Sequence, residues 1–340
     1  MAEGQIGISK RNLTLWLAIT ALVLLAVWAL ASENFSQMFT ALSQADYRMV
    51  SIAFAIYMVF ILMWAARWDI SLKAVGYRVK LQNLYLLIFS SRFINNITPF
   101  TYAGGDPLSR TYLLNKTEKV PYVAGFASTA VEIILDLPIF VSLLLVGLFM
   151  SSVALSKTML ALVGVVWIIS LTLVFMGLSR MLKNRTGAKV AGKLIARILK
   201  LLRRKPNMRS ISSGIERFYS GGSSIIGHPK TLAKVFSFSI LLWIFSFIRL
   251  FFVFQAFGIS PSPVMLLMAV TIPAIVGLVP LLPGSIGTFD AAMIWVFTSA
   301  GLSLDVAMAA VALDRMITFV FSTLAGAGTL SYQGIRLWKK

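Results

Sequence analysis

Nine ionisable side chains stand in stretches that are otherwise apolar. Asp106, Glu132, Asp136, Asp290 and Asp314 are five of the chain's twelve acids, and Arg92, Arg110, Arg249 and Arg315 fall in or at the edges of the same stretches. An unpaired charge inside a bilayer costs at least ~2.5–3.5 kcal/mol on insertion scales, so a paired network is expected. Glu132 and Asp136 are four residues apart, hence on one helical face, where two carboxylates repel unless a cation lies between them. Arg92, Arg249 or Arg315 is the expected partner. An arginine can also hold a phosphate through its planar fork. Ion pairs that only fix helix register would give the same pattern, and the two roles are compatible.

The second kind of residue is the helix breaker. Asn95-Asn96-Ile-Thr-Pro-Phe-Thr-Tyr-Ala-Gly104-Gly105-Asp106-Pro-Leu-Ser-Arg110 opens one unit, and Pro280-Leu-Leu-Pro-Gly284-Ser-Ile-Gly287-Thr-Phe-Asp290 opens another. Each is followed by a short helix-compatible stretch, a turn and a long apolar helix that carries acid. Glycine supplies the freedom for a sharp break. Asp106 before Pro107 reads as an N-cap with proline at the first helical position, and Thr288 as the cap of the second short helix, with Asp290 in its first turn. Free N–H groups at such starts suit a phosphate or carboxylate. Alternatively these glycines only let helices pack closely. A substrate-binding set follows: Arg92, Asn96, Gly104, Gly105, Asp106, Arg110, Glu132, Asp136, Arg249, Gly284, Gly287, Asp290, Asp314 and Arg315.

Other chemistry is narrowed by composition. There is no cysteine and one histidine, His228, so thiol nucleophiles, thiolate sites and multi-histidine metal centres are excluded. His228, beside Pro229, reads as a surface residue. No Gly-rich phosphate loop of the Walker type is present, and no cofactor is expected.

The elements that must position these residues are helices in lipid. Apolar types make up 58% of 340 residues and charged ones 13%, more apolar surface than a soluble protein of this size could hide. Hydrophobic runs cover Leu13–Ala31, Tyr47–Ala66, Leu81–Ile97, Pro121–Met150, Met159–Leu178, Leu232–Phe257, Pro263–Leu282 and Val306–Leu330. The chain reads as an all-α polytopic membrane protein, a single integral domain over residues 1–340. Its first repeat spans about 81–150, a cytoplasmic basic segment about 180–231, and its second repeat about 263–332.

Charge sets orientation. Lys10 and Arg11, the Arg67–Lys80 linker, Arg180–Lys234, and Arg336, Lys339 and Lys340 are basic, whereas Glu33–Asp46 and Gly258–Pro263 carry no lysine or arginine. Placing the basic segments in the cytoplasm puts both termini on the cytoplasmic side of the cell membrane. Eight ordinary spans would put Arg110, Lys116 and Lys119 outside. Making Leu81–Leu114 and Pro263–Ala300 re-entrant hairpins from opposite faces leaves about six full spans, with the units related by inverted topology. Within the basic segment Lys189, Lys193, Arg197, Lys200 and Arg204 recur at helical spacing beside an apolar stripe, which suits an anionic inner leaflet better than nucleic acid. Trp16, Trp28, Trp64, Trp68 and Trp338 lie near span ends and fit an interfacial belt.

The two Gly/Pro motifs, the Glu132–Asp136 helix and Leu313-Asp-Arg315 resemble the lysylphosphatidylglycerol synthetase/flippase transmembrane-region family over roughly residues 10–335. The resemblance implies a unit that moves a lipid between leaflets. With the sequence ending at Lys340, a stand-alone unit without the synthase domain is expected. Asp290 stands where many relatives would carry glutamate, which keeps the charge and shortens its reach. The leading expectation is therefore a translocase for a phosphate-bearing polar lipid, aminoacylated or isoprenoid-linked. The rivals are a membrane-embedded lipid-modifying enzyme using Glu132 and Asp136 as acid–base groups, and an accessory subunit that recruits a separate lipid synthase or glycosyltransferase.

Overall fold

Lipid offers backbone groups no hydrogen-bond partners, so a chain this apolar must satisfy them within helices. The computed structural model describes residues 32–98, 105–150, scattered helical positions between 158 and 176, 208–278 and 283–334, and all regular structure among them is helical. The expected run Leu13–Ala31, Gly104, the 189–205 basic helix with Lys189, Lys193, Arg197, Lys200 and Arg204, and the C-terminal basic residues lie outside the described residues, as does most of Met159–Leu178.

Among the described residues three helices are long and apolar enough to cross a membrane: α2 (Tyr47–Ala74), α5 (Tyr122–Met150) and α7 (Pro229–Gln255). At 1.5 Å per residue each reaches about 40 Å, beyond the ~30 Å hydrocarbon core. Asp46 caps α2 by accepting from the Arg48 N–H at 2.8 Å. On α2 the residues Ala53, Tyr57, Ile61, Ala65, Trp68 and Leu72 are buried, a stripe with steps of three or four that faces the protein. Val59 and Leu62 on its other side are exposed, as lipid-facing positions should be. The sequence placed the end of this run at Ala66 and treated Arg67–Lys80 as a flank. The helix instead continues to Ala74, and Arg67 and Trp68 are buried on it. A further helix, α1 (Ser32–Ser43), fills the connector ahead of Asp46 and packs on the helix Leu304–Arg315.

Four of the helices too short to span pack in pairs. They are α3 (Leu81–Asn96), α4 (Asp106–Glu118), α8 (Pro263–Val276) and α9 (Thr288–Ser299), with 16, 13, 14 and 12 residues, or about 18–24 Å each. α3 packs against α4, and α8 against α9. Ser262 caps α8, its Oγ accepting from Met265 N–H at 3.2 Å with Pro263 at the first helical position. The last described elements are α10 (Leu304–Arg315), a π-turn (Met316–Val320) and α11 (Phe321–Tyr332). Such a turn inserts an extra residue and re-aims what precedes it, here Asp314 and Arg315. Tyr57 Oη donates to the carbonyl of Thr318 inside it at 3.3 Å.

The ends of the molecule differ in charge. At one end Ile70, Ala74 and Val75 of α2 and Val131 and Leu135 of α5 pack with Leu232 and Val235 of α7 and with Ile225 and Ile226 of α6 (Met208–Ile226). Lys73, Arg78, Lys80, Lys116, Lys119, Lys230 and Lys234 belong to the segments of this end. At the other, Asp46 N–H donates to the Ala256 carbonyl at 2.8 Å. The connection between α7 and α8 there carries no charged residue. The α3–α4 pair opens towards the basic end and the α8–α9 pair towards the other, because their flanking helices are the ones that meet at those ends.

Candidate functional site

Helical spacing assembles the first group of charges. Asp106 and Arg110 are one turn apart on α4, as are Glu132 and Asp136 on α5. Arg110 binds Asp106 Oδ2 through Nε at 2.8 Å and Glu132 Oε2 through Nη1 at 3.0 Å. Arg67 reaches across from α2. Its Nη2 donates to Glu132 Oε2 at 3.3 Å, and its Nη1 to Asp136 Oδ1 at 2.7 Å and to Ser239 Oγ of α7 at 2.8 Å. Glu132 thus ties α2, α4 and α5 through one oxygen. Asn95 Nδ2 donates to Asp106 Oδ1 at 3.4 Å, and Ser109 Oγ to Asn95 Oδ1 at 3.1 Å, which joins α3 to the group.

Burial grades this cluster. Glu132 is 0% exposed, Arg110 1% and Arg67 3%, while the Asp136 and Asp106 side chains are 31% and 21% exposed. The Arg110 guanidinium lies between the rings of Trp64 and Trp68, 5.1 Å from each centroid, a desolvated cation–π contact. Trp68 Nε1 donates to Ser128 Oγ at 3.1 Å, one turn before Glu132. Glu132 Oε1, Arg67 Nε and Trp64 Nε1 are buried without a hydrogen-bond partner. Two arginines face three carboxylates.

The second group is built pairwise. Arg315 Nε pairs with Asp290 Oδ1, and its Cζ lies 4.3 Å from the Phe289 ring centroid and 5.6 Å from that of Phe319. Asp290 Oδ2 accepts from the Gly287 N–H at 2.9 Å, the reach-back half of a capping box. Arg249 of α7 pairs with Asp314 of α10. Each arginine has its own acid. Arg315 Nη2 is buried with no hydrogen-bond partner.

The two breaks touch. The Gly284 N–H donates to the Thr98 carbonyl at 3.2 Å, and Gly284 holds φ +65°. A Cβ there would run into the Phe319 ring, with the Asn96 carbonyl 3.0 Å away on the other side. Only glycine fits both the backbone and the space. Asn96 Nδ2 donates to Thr323 Oγ1 at 2.7 Å. Below it Gly326 of α11 presses its backbone on Phe89 and Phe93 of α3. The expected residues therefore fall into three places: Asp106, Arg110, Glu132 and Asp136 in the first cluster; Asp290, Arg315, Arg249 and Asp314 in the second; Asn96 and Gly284 at the junction. Arg92 is partly buried on α3.

Several expectations need correction. Glu132 and Asp136 are bridged by Arg67, and Arg110 joins Glu132 to Asp106; Arg249 and Arg315 pair with Asp314 and Asp290. The charge pattern reads Arg67 as an orienting flank and Trp64 and Trp68 as belt residues, whereas the structure buries Arg67 and Trp68 and sets both indoles against Arg110. Continuing the buried side of α2 past Ala65 reaches Arg67 and Trp68, and Trp64 lies one turn before Trp68. Asp106 is not a cap: Gly105 holds that position and the Asp106 side chain turns to Arg110. Likewise Gly287 precedes α9 and Thr288 is its first residue. His228 is exposed, its Nδ1 2.9 Å from the Ser224 carbonyl. Among the described residues no three acids or histidines are grouped to hold a metal.

Residues 15–326 match the family described as Lysylphosphatidylglycerol synthase TM region. The chain is similar to a UPF0104 membrane protein of Methanothermobacter thermautotrophicus, 27% identical over 96% of this chain and 94% of the relative. A UPF0104 membrane protein of Methanocaldococcus jannaschii is also 27% identical, over 92% of each. Glycosyltransferase AglD of Haloferax volcanii is 26% identical over 94% of this chain but 55% of its own length. No solved structure matches. The chain belongs to the lysylphosphatidylglycerol synthase TM region family.

Proposed function

We propose that this member of the family is a translocase that moves a phosphate-bearing polar lipid between leaflets. The observation that carries the reading is where the charges lie: two groups of buried ion pairs flank the point at which two broken helices touch. Broken backbone at membrane depth is tolerated where protein or a watery cavity receives it, and helix breaks meeting at the midplane mark transporter sites. In this reading α3–α4 and α8–α9 are re-entrant hairpins that enter from opposite faces, and the basic end is cytoplasmic.

The depths of the two groups support a path. Counting along the helices, Glu132 lies ~15 Å and Arg67 ~10 Å from the basic end, whereas Asp314 lies ~15 Å and Arg249 ~9 Å from the opposite end. A headgroup would meet one cluster from each leaflet, with its tails left in the bilayer. Arg110 and Arg315 are the phosphate-gripping residues. Asp106 and Asp290 occupy their forks in the structure, so binding exchanges a carboxylate for a phosphate oxygen, one charge-assisted bond for another. The unpartnered Nη2 of Arg315 adds a donor.

Purified protein in liposomes carrying labelled phospholipids and polyprenyl phosphates tests this. Protein-dependent exchange of label between leaflets, lost in Arg315→Ala, is expected; no exchange for any headgroup would overturn it. The likeness to a relative named as a glycosyltransferase favours one second reading, a membrane partner of such an enzyme. There the ion pairs are structural, and Arg315→Ala leaves co-purification with the enzyme and its activity unchanged.

A further inference from the structure

We infer that the π-turn at Met316–Val320 is a register switch, and that its shift towards α10 carries Arg315 to Arg249, where the two arginines form a site for a phosphate group. The inference rests on the translocase reading and names the state in which the second group holds its ligand. A π-turn takes up one residue more than the α-helix around it. Here the Phe321 N–H bonds the Met316 carbonyl, five residues back. The helix on either side keeps its place wherever the extra residue sits. Each residue the turn passes moves by one helical position, about 100° and about 1.5 Å. Passing Arg315 puts it where Asp314 now stands, and Asp314 is the residue that faces Arg249. Met316 then takes the place of Arg315.

Two observations point to a turn that moves. The first is how its carbonyls are satisfied. That of Thr318 accepts from Tyr57 Oη at 3.3 Å and from Ser322 Oγ at 2.6 Å. That of Phe319 accepts from Thr323 Oγ1 at 2.6 Å, Ser322 Oγ at 3.2 Å and Asn96 Nδ2 at 3.4 Å, and that of Asp314 from Thr318 Oγ1 at 2.8 Å. Lipid cannot receive a carbonyl released by a change of register, whereas hydroxyl groups rotate to follow it. The second is where the chain is held. Beyond the turn α11 is tied to α3 by Asn96–Thr323, by the Ser90–Thr329 hydroxyl pair at 2.8 Å, and by the backbone of Gly326 on Phe89. Before it Ala307, Ala310 and Leu313 are buried in the core. Met316, between these anchors, is exposed, and its unbranched side chain adapts to a new setting. The slip is confined to the stretch that bears Arg315.

The displaced acids have partners in place. Asp314 Oδ2 already lies 3.5 Å from Thr318 Oγ1, one turn on. Asp290 is partly exposed and keeps the Gly287 N–H. Two guanidinium groups side by side repel, so the shifted register needs an anion between them, and a phosphate accepts from both forks. Without the anion the present pairs re-form. A ligand that binds one register and not the other draws the population to it. The phosphate therefore replaces both carboxylates in a single step, and it is released when the register reverts.

The chain has no cysteine, so one introduced thiol reports on one place. Met316→Cys, carrying a trifluoroethyl group to approach methionine in length, is followed by fluorine NMR in phosphatidylcholine nanodiscs. Phosphatidic acid should move its signal from a lipid-exposed position, broadened by dissolved oxygen, to a sheltered one. The same label in Leu304→Cys and in Leu324→Cys, exposed on the two flanks, should not respond. Arg249→Gln should abolish the response at Met316→Cys. Inorganic phosphate in the buffer is the second arm: no response to it, or a response to both, keeps the site, and a response to it alone overturns the headgroup assignment. Deleting Met316 closes the turn into an α-helix with both flanks in their present register, so leaflet exchange of phosphatidic acid should fall at least about tenfold. Tyr57→Phe removes one donor from the Thr318 carbonyl, should raise the sheltered population, and serves if the deletion does not fold. A silent Met316 position, an equal change at all three positions, undiminished exchange after the deletion, or an unchanged population in Tyr57→Phe overturns the switch and leaves the translocase standing. A confined response at Met316 without movement of any lipid overturns the translocase and leaves the phosphate site.

Discussion

The two charge groups share residue types but not construction. In the first, one carboxylate oxygen joins two arginines from different helices, a tryptophan pair encloses one of them, and the central side chains are almost wholly buried. In the second, Arg315 and Asp290 lie beside a single break, with side chains 15% and 23% exposed, and Arg249–Asp314 is a separate pair. A shared, buried hub cannot lose a member without stranding the others, whereas an independent, partly exposed pair can open and close. The first group is thus expected to carry more of the stability, and the second to exchange with ligand at less cost to the fold.

The largest effect should come from breaking the hub. Arg110→Ala strands Asp106 and half of the Glu132 interaction and empties the slot between Trp64 and Trp68. Loss of one partner from a buried pair costs about 3–5 kcal/mol. Thermal unfolding in detergent should show a large drop in midpoint or failure to express as a monodisperse protein. Arg110→Lys should recover little, because an ammonium offers no flat face to two indoles and no fork for two acids. If either variant is as stable as wild type, the hub is not what holds α2, α4 and α5 together.

Next in size is the junction that links the groups. Gly284→Ala places a methyl against the Phe319 ring and asks alanine to hold φ +65°, a strain of order 1–3 kcal/mol. Pairing it with Phe319→Ala should return the part due to the collision and leave the part due to the backbone, a split that a double-mutant cycle measures. Full additivity would show that Phe319 gives way freely. A smaller stability change, under about 1 kcal/mol, is expected for Arg315→Lys, since the pair is partly solvated and keeps its charge. Its loss should appear in lipid exchange instead, as the fork and the stacking on Phe289 go. Equal destabilisation by Arg315→Lys and Arg110→Lys would erase the contrast between the regions.

The sequence announced the helices and the breaks more clearly than the pairings. An apolar run with acids at i and i+4 can only be a helix with one charged face, and glycine beside proline can only interrupt it, so α5, the end of α3 and the turn at Gly284 were legible. Partner choice is a tertiary fact. Arg67 looks like the end of a span because lysine and arginine follow it, and nothing local says that α5 lies opposite to receive it. The same holds for Trp64 and Trp68, whose role depends on where Arg110 arrives from another helix. The cap positions missed by one residue for a different reason: Asp106 has a stronger partner than a backbone N–H, and glycine takes the cap in both short helices.

The smallest effect is expected at Asp290, and it separates charge from reach. Asp290 is the third residue of α9 and performs two tasks, accepting from Gly287 N–H with one oxygen and pairing with Arg315 through the other. Glutamate is the usual residue for the first task, since its longer chain reaches back over one turn to the cap residue. It also retains the charge for the second, and Arg315, held over Phe289 by stacking, can retreat along the ring face to make room. Asp290→Glu should therefore stay within about 0.5 kcal/mol of the parent and keep lipid exchange. Asp290→Asn keeps an acceptor for the cap but leaves Arg315 unpaired, so it should lose more by thermal unfolding. Were the glutamate variant to fall with the asparagine one, the Arg315–Asp290 geometry would be as fixed as the Glu132 hub, and the division of labour between the two halves would have to be given up.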